Sequence, residues 1–188
     1  AEAGISSDGF FELQSRPAAV AIVGGGYVAA ELSGVFAALG SRVTVALRGE
    51  RMLRDFDHML SERLTASMRA DGVEIVERAL PAALERAAGG LFLRLEDQRS
   101  LGPFDCVIWA VGRTPNVEGL GLTEAGVVAG PNGEVVTDLK QDTNVTGIHA
   151  IGDVTGRAEL TPVAIAAGRR LADRLFGGQP DRHLDYRL

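Results

Sequence analysis

Residues 18–23 form an unbroken apolar stretch that runs into three consecutive glycines, Gly24, Gly25 and Gly26, and then into a helix-forming segment closed by Gly40. Few folds accommodate that order. An apolar run without polar alternation is the pattern of a strand buried on both faces, as in parallel sheets whose faces are covered. Gly40 supplies the C-terminal cap, since glycine enters the left-handed conformation without steric cost. Residues 42–47 (RVTVAL) are rich in β-branched side chains and form a second strand at the distance expected for a βαβ unit, which makes the two strands parallel. The turn Gly24-x-Gly26-x-x-Ala29 has the spacing of a dinucleotide-binding fingerprint. Gly24 permits the tight turn, Gly26 lets backbone approach a diphosphate, and the N–H groups and dipole of the helix start hold the anion. Ala29 places one methyl at the helix–strand contact. The glycines alone also suit a structural turn; the strand before and the helix after favour the binding reading.

The end of the second strand bears on which dinucleotide. An NAD site places Asp or Glu there, on the ribose hydroxyls. This chain has Ala46, Leu47 and Arg48, with Arg54 six residues on. Two guanidinium forks suit a 2′-phosphate, because they stay charged and bond bidentately. NADPH is favoured over NADH, and S-adenosylmethionine, which also wants an acid on its ribose, is disfavoured. By themselves, the two arginines would also read as solvated loop charges.

The remaining segments extend this α/β reading. Residues 1–17 are turn-rich and read as a connection. Residues 57–70, with Leu60, Leu64 and Met68 at four-residue spacing, predict an amphipathic helix, followed by a third strand at 73–76. Residues 80–104 predict an antiparallel ribbon, and 106–111 (CVIWAV) another buried strand. The turn 112–116 closes it and marks a domain boundary. Beyond it, strands are expected at 134–137 and 147–151, and a helix over 161–176 opens with Pro162 behind a Thr161 cap. The expected architecture is a Rossmann-like parallel sheet with helices and an antiparallel ribbon, plus a second, partial domain.

Composition narrows the function classes. The 188 residues are 46% hydrophobic and 23% charged, as expected of a globular chain with a core. A net charge of −6 with scattered Lys and Arg leaves no basic face for nucleic acid. No apolar run approaches the ~18 residues of a membrane span. The single cysteine, Cys106, precludes an intrachain disulfide framework and fits a reducing compartment, expected to be the cytoplasm. His58, His149 and His183 show no metal-ligand spacing. The chain opens at Ala1 without Met, so a fragment or processed product is expected.

The strings GGGYVAAELSGVFAALGS, LRGERMLRDFD, VIWAVGRTPN, GIHAIGDV and ELTPVAIAAGRRLADRLF resemble the pyridine nucleotide-disulphide oxidoreductases, most closely the glutathione-reductase branch, in that family's order across residues 5–185. The resemblance implies an NADPH domain at 18–116, a connection from the flavin domain at 1–17, and the C-terminal part of the FAD domain at 117–188. Tyr27 then looks like the ring that covers the flavin, and Glu31 like the carboxylate near the nicotinamide amide. Residues 143–153 resemble the second flavin motif, with Asp153 accepting from ribityl hydroxyls; read alone, Gly152-Asp153 is a turn. The helix opening at Thr161 would point its N-terminus at the flavin, and Gly112 joins the cofactor-binding positions. The family's redox cysteine pair, first flavin fingerprint, catalytic His–Glu pair and dimer interface lie outside this chain, so the parent is expected to be a homodimer reducing glutathione disulfide, with this piece inactive alone. Trypanothione or thioredoxin reductase types, or a non-catalytic NADP-binding module, remain the alternatives. Cys106 reads as a small buried hydrophobe.

Overall fold

The structure, a computed structural model, describes residues 4–186. It divides after Gly112 into two compact units. In the first, β1 (Ile5–Ser6), β2 (Ala19–Val23), β3 (Arg42–Ala46), β4 (Glu74–Val76) and β8 (Cys106–Trp109) make a five-stranded parallel sheet in the order β1-β8-β2-β3-β4. Between β4 and β8, a separate antiparallel sheet is formed by β5 (Pro81–Ala87), β6 (Gly90–Leu95) and β7 (Ser100–Phe104).

The unbroken apolar run of β2 has a direct explanation in the packing. Val20 and Ile22 point into a core shared with Ala29, Leu32 and Phe36 of helix α2 (Tyr27–Ala38) and Met68 of helix α3 (His58–Ala70). Ala21 and Val23, on the opposite face, pack with Leu91, Leu93, Leu95 and Phe104 of the antiparallel sheet. Helices cover one face and β-ribbon the other, so neither parity of the strand can be polar. The expected α/β class and antiparallel ribbon are both present. α2 ends as expected, with Leu39 as C-cap and Gly40 at φ +84°.

Several expectations need correction. The opening segment also contributes β1, paired with β8, and a short helix α1 (Ser7–Phe11) capped by Ser6, whose Oγ accepts from the Asp8 amide at 3.2 Å. Met68 and the partly buried Leu64 pack on the core as expected, but Leu60 is 53% exposed and the inward face of α3 is completed by Ser61 and Thr65, whose hydroxyls bond the loop before the helix. The strand at 106–111 stops at Trp109, where its partner β2 also ends, leaving Val111 70% exposed.

In the second unit, the strands expected at 134–137 and 147–151 reduce to isolated bridges, Ala129 with Val135 and Asp142 with His149. Gly133, Gly147 and Gly152, all at positive φ, turn the chain before a ladder can lengthen. A 3-10 turn at Gly152–Thr155 precedes helix α4 (Thr161–Phe176). The expected threonine cap is absent. Thr161 is already helical, and the N-cap is Leu160, without a side-chain cap.

Candidate functional site

The glycine turn sits at the C-terminal edge of the parallel sheet, between β2 and α2, where open α/β sheets bind their ligands. Gly24 takes φ +135°, and its amide donates to the Ala46 carbonyl at 3.0 Å. A Cβ there would strike the Ala110 carbonyl oxygen at 2.2 Å. Gly26 differs: it is the N-cap of α2 at φ −82°, has no side-chain cap, and a Cβ would meet nothing within 4 Å. Nothing in the surrounding protein therefore requires glycine at this position, and the exposed backbone leaves room for an approaching ligand. Ala29 is fully buried against the sheet.

Arg48 lies just beyond β3 on an exposed loop. Arg54, farther along the same loop, is exposed and pairs with its neighbour Asp55 at 3.4 Å. The loop is tied to the glycine turn, since the Leu53 amide donates to the Gly25 carbonyl at 2.6 Å. It is also tied to α3, where Ser61 and Thr65 bond the backbone of Met52. Sequence reasoning missed both hydroxyls because the apolar spacing Leu60–Leu64–Met68 drew the helix face; their own i,i+4 spacing was the available signal.

Tyr27 and Glu31 stand one turn apart at the start of α2, Tyr27 partly buried and Glu31 exposed. Gly112 is exposed at φ +144°, with open space around a notional Cβ. In the second unit, Asp153 is exposed in the 3-10 turn, and that turn is packed on α4, because a Cβ on Gly152 would lie 3.1 Å from Cβ of Ala164. Thr161 is exposed at the uncapped N-terminus of α4. The turn bearing Asp153 and the opening of α4 thus belong to one local arrangement.

Two further groups are electrostatically distinctive. Burial, with a smaller contribution from Asp105, pushes the Cys106 thiol pKa up, which opposes thiolate chemistry. Asp142 accepts from Arg174 and lies 2.6 Å from His149 Nδ1; the Arg174 hydrogen bond, reinforced by His149, holds its carboxyl below the usual range. Among the described residues there is no cluster of three or more His, Cys, Asp or Glu able to hold a metal, and no helix long and apolar enough to cross a membrane.

The profile of the pyridine nucleotide-disulphide oxidoreductases matches residues 2–168. The chain belongs to this family. It is 48% identical over 187 residues to glutathione reductase of Schizosaccharomyces pombe, covering 99% of this chain and 40% of that protein. Among solved structures, it is similar to the Cu(II) complex of the HOCl-induced flavoprotein disulfide reductase RclA from Escherichia coli, with TM-score 0.88 and 28% identity, over 97% of this chain and 42% of that one. It is also similar to LpdA from Mycobacterium tuberculosis, with TM-score 0.81 and 29% identity, over 90% of this chain and 37% of that one. The chain is thus a homologue of glutathione reductase with the fold of the flavoprotein disulfide reductases, and spans about 40% of the length of the relatives it matches. The family implies FAD and a nicotinamide dinucleotide as cofactors.

Proposed function

We propose that this chain contains the NADPH-binding domain, residues 18–116, preceded by a connection from the FAD domain, residues 1–17, and followed by the returning part of the FAD domain, residues 117–188, of a flavoprotein glutathione-disulfide reductase. The observation that carries the reading is Arg48 at the end of β3, beside a glycine turn whose Gly26 has no protein reason to be glycine. The residues fit an anionic dinucleotide. The start of α2 has no side-chain cap, which suits a helix terminus that receives a diphosphate. Arg48 and Arg54 supply paired positive charge for a 2′-phosphate.

When bound, NADPH supplies a hydride and FAD accepts it. The contribution of this chain is binding and orientation. Gly24 and Gly26 bring backbone to the diphosphate, and Ala29 seats α2 on the sheet so that its dipole is aimed there. Tyr27 and Glu31, one turn apart at the start of α2, would line the nicotinamide side. Gly112, with open space around a notional Cβ, would leave room beside the dinucleotide. Asp153 would hold ribityl hydroxyls, and the start of α4 at Thr161, which has no side-chain cap, would offer its dipole to the flavin. The partner substrate is glutathione disulfide and the complete enzyme a cytoplasmic homodimer.

Calorimetric titration of NADPH and NADH into the chain and into Arg48→Ala tests the reading. Hydrogen bonds to charged groups contribute about 1.5–3 kcal/mol, and each ~1.4 kcal/mol is tenfold in affinity. With allowance for exposure and screening, roughly ten- to a hundredfold weaker NADPH binding is expected, with NADH little changed. Equal affinities of the wild type for the two cofactors would refute it.

A further inference from the structure

We propose that Ser61 and Thr65 are positioning residues for cofactor selectivity: their buried hydroxyls lock the arginine-bearing loop, residues 48–54, in register with the glycine turn. The inference rests on the NADPH reading above. Ser61 and Thr65 are 0% and 5% exposed, on a helix face that would otherwise pack apolar groups. Their hydroxyls converge on one loop residue. Ser61 Oγ donates to the Met52 carbonyl. The Met52 amide donates to Thr65 Oγ1 at 3.4 Å, and Thr65 Oγ1 donates to the Ser61 carbonyl at 2.7 Å. Buried hydroxyls cost free energy unless partnered, and here both are partnered by the backbone of fully buried Met52 and by each other's turn.

The next residue carries the restraint to the diphosphate side. Leu53 is held at φ +50°, and its amide donates to the Gly25 carbonyl at 2.6 Å. A left-handed leucine persists only where its surroundings impose it. Gly25 also lies against Leu47, immediately before Arg48, with 3.0 Å between a notional Cβ and Leu47 Cδ2. The loop is thus fastened to α3 through Met52 and to the glycine turn through Leu53. Arg48 and Arg54 flank these two anchors, so the distance between 2′-phosphate and diphosphate sites is set by α3. Selectivity for a phosphate carried on a long ligand depends on that spacing.

The test uses the 188-residue chain with Ser61→Ala, Thr65→Val and the hydroxyl-retaining Thr65→Ser, titrated with NADPH, NADH, 2′,5′-ADP and 5′-AMP, each variant's melting temperature being measured alongside. Ser61→Ala and Thr65→Val are expected to weaken NADPH and 2′,5′-ADP on the order of fivefold, the scale of one misplaced charge-assisted hydrogen bond. NADH and 5′-AMP should change less than about twofold on the same scale, and Thr65→Ser should retain wild-type selectivity. Faster hydrogen exchange at the Leu53 amide in Thr65→Val supports the same conclusion and needs only that variant to fold. A loss shared equally by phosphorylated and unphosphorylated ligands, or a selectivity unchanged in both variants while Arg48→Ala still abolishes it, overturns the proposal and leaves the NADPH reading intact. A wild type without NADPH preference overturns both.

Discussion

A Cβ on Gly24 would stand 2.2 Å from the carbonyl oxygen of Ala110, so the glycine turn and the chain leaving β8 meet in a backbone contact that only glycine permits. Gly26, two residues on, has no such neighbour. The two glycines should therefore separate folding from binding. Gly24→Ala combines a strained φ with overpacking against backbone, each costing about 1–3 kcal/mol. A fall in Tm of roughly 5–15 °C is expected at this chain length. Gly26→Ala should keep Tm within a few degrees, about the size of an N-cap change, yet weaken NADPH binding by roughly tenfold or more, because the methyl enters the ligand's space. Thermal melts paired with calorimetry decide it; a Gly26→Ala protein that binds normally would remove the diphosphate from this turn.

The ion pair between Arg54 and Asp55 competes with any phosphate for the same guanidinium. Both side chains are exposed, at 61% and 83%, so the pair is worth at most about 1 kcal/mol. Asp55→Asn should accordingly tighten NADPH binding by roughly two- to fivefold, with an effect that shrinks as salt rises. NADH affinity should stay put. Weaker NADPH binding in Asp55→Asn would mean that Arg54 needs its carboxylate neighbour and does not contact the phosphate.

Asp142 ties its own bridge partner His149 to Arg174 on α4. The Arg174 hydrogen bond lowers the Asp142 pKa against the opposing effect of burial, and His149 adds to the lowering. A carboxyl whose folded pKa lies below its unfolded value of about 3.9 contributes stability above that value and loses it as pH falls through the folded pKa. The loss belongs to the window below about pH 4. Urea midpoints of the wild type should drop across that window, whereas Asp142→Asn should start lower at pH 7 and show a shallower acid decline. Parallel curves would exclude Asp142 as a source of the pH dependence.

Cys106 is 9% exposed with its thiol pKa raised by burial. Labelling by an aromatic disulfide reagent at neutral pH should run at least about tenfold slower than for a free thiol, and reach the free rate in denaturant. As the single cysteine, it cannot form an intrachain redox disulfide. Oxidised glutathione should then cause no loss of NADPH absorbance with this chain alone. Rapid native labelling, or steady glutathione-dependent turnover, would contradict the structural role assigned to it.

Much of the site could be read from local sequence because its determinants are local. The strand, glycine turn and helix of 18–40 follow from an apolar run, left-handed glycine and helical spacing, none of which needs a distant partner. The place of Arg48 was legible for the same reason, since it lies just beyond the strand. Distant contacts decided the rest. Gly24 is required by Ala110, and the apolar parity of β2 is completed by a three-stranded sheet contributed by residues 81–104. Ser61 and Thr65 turn inward because the Met52 backbone, buried beneath them, must be hydrogen-bonded, and that outweighs the hydrophobic spacing that favoured Leu60. The segments 134–137 and 147–151 have strand composition, but a strand exists only where a neighbour accepts its ladder; flanked by positive-φ glycines, each finds a single bridge.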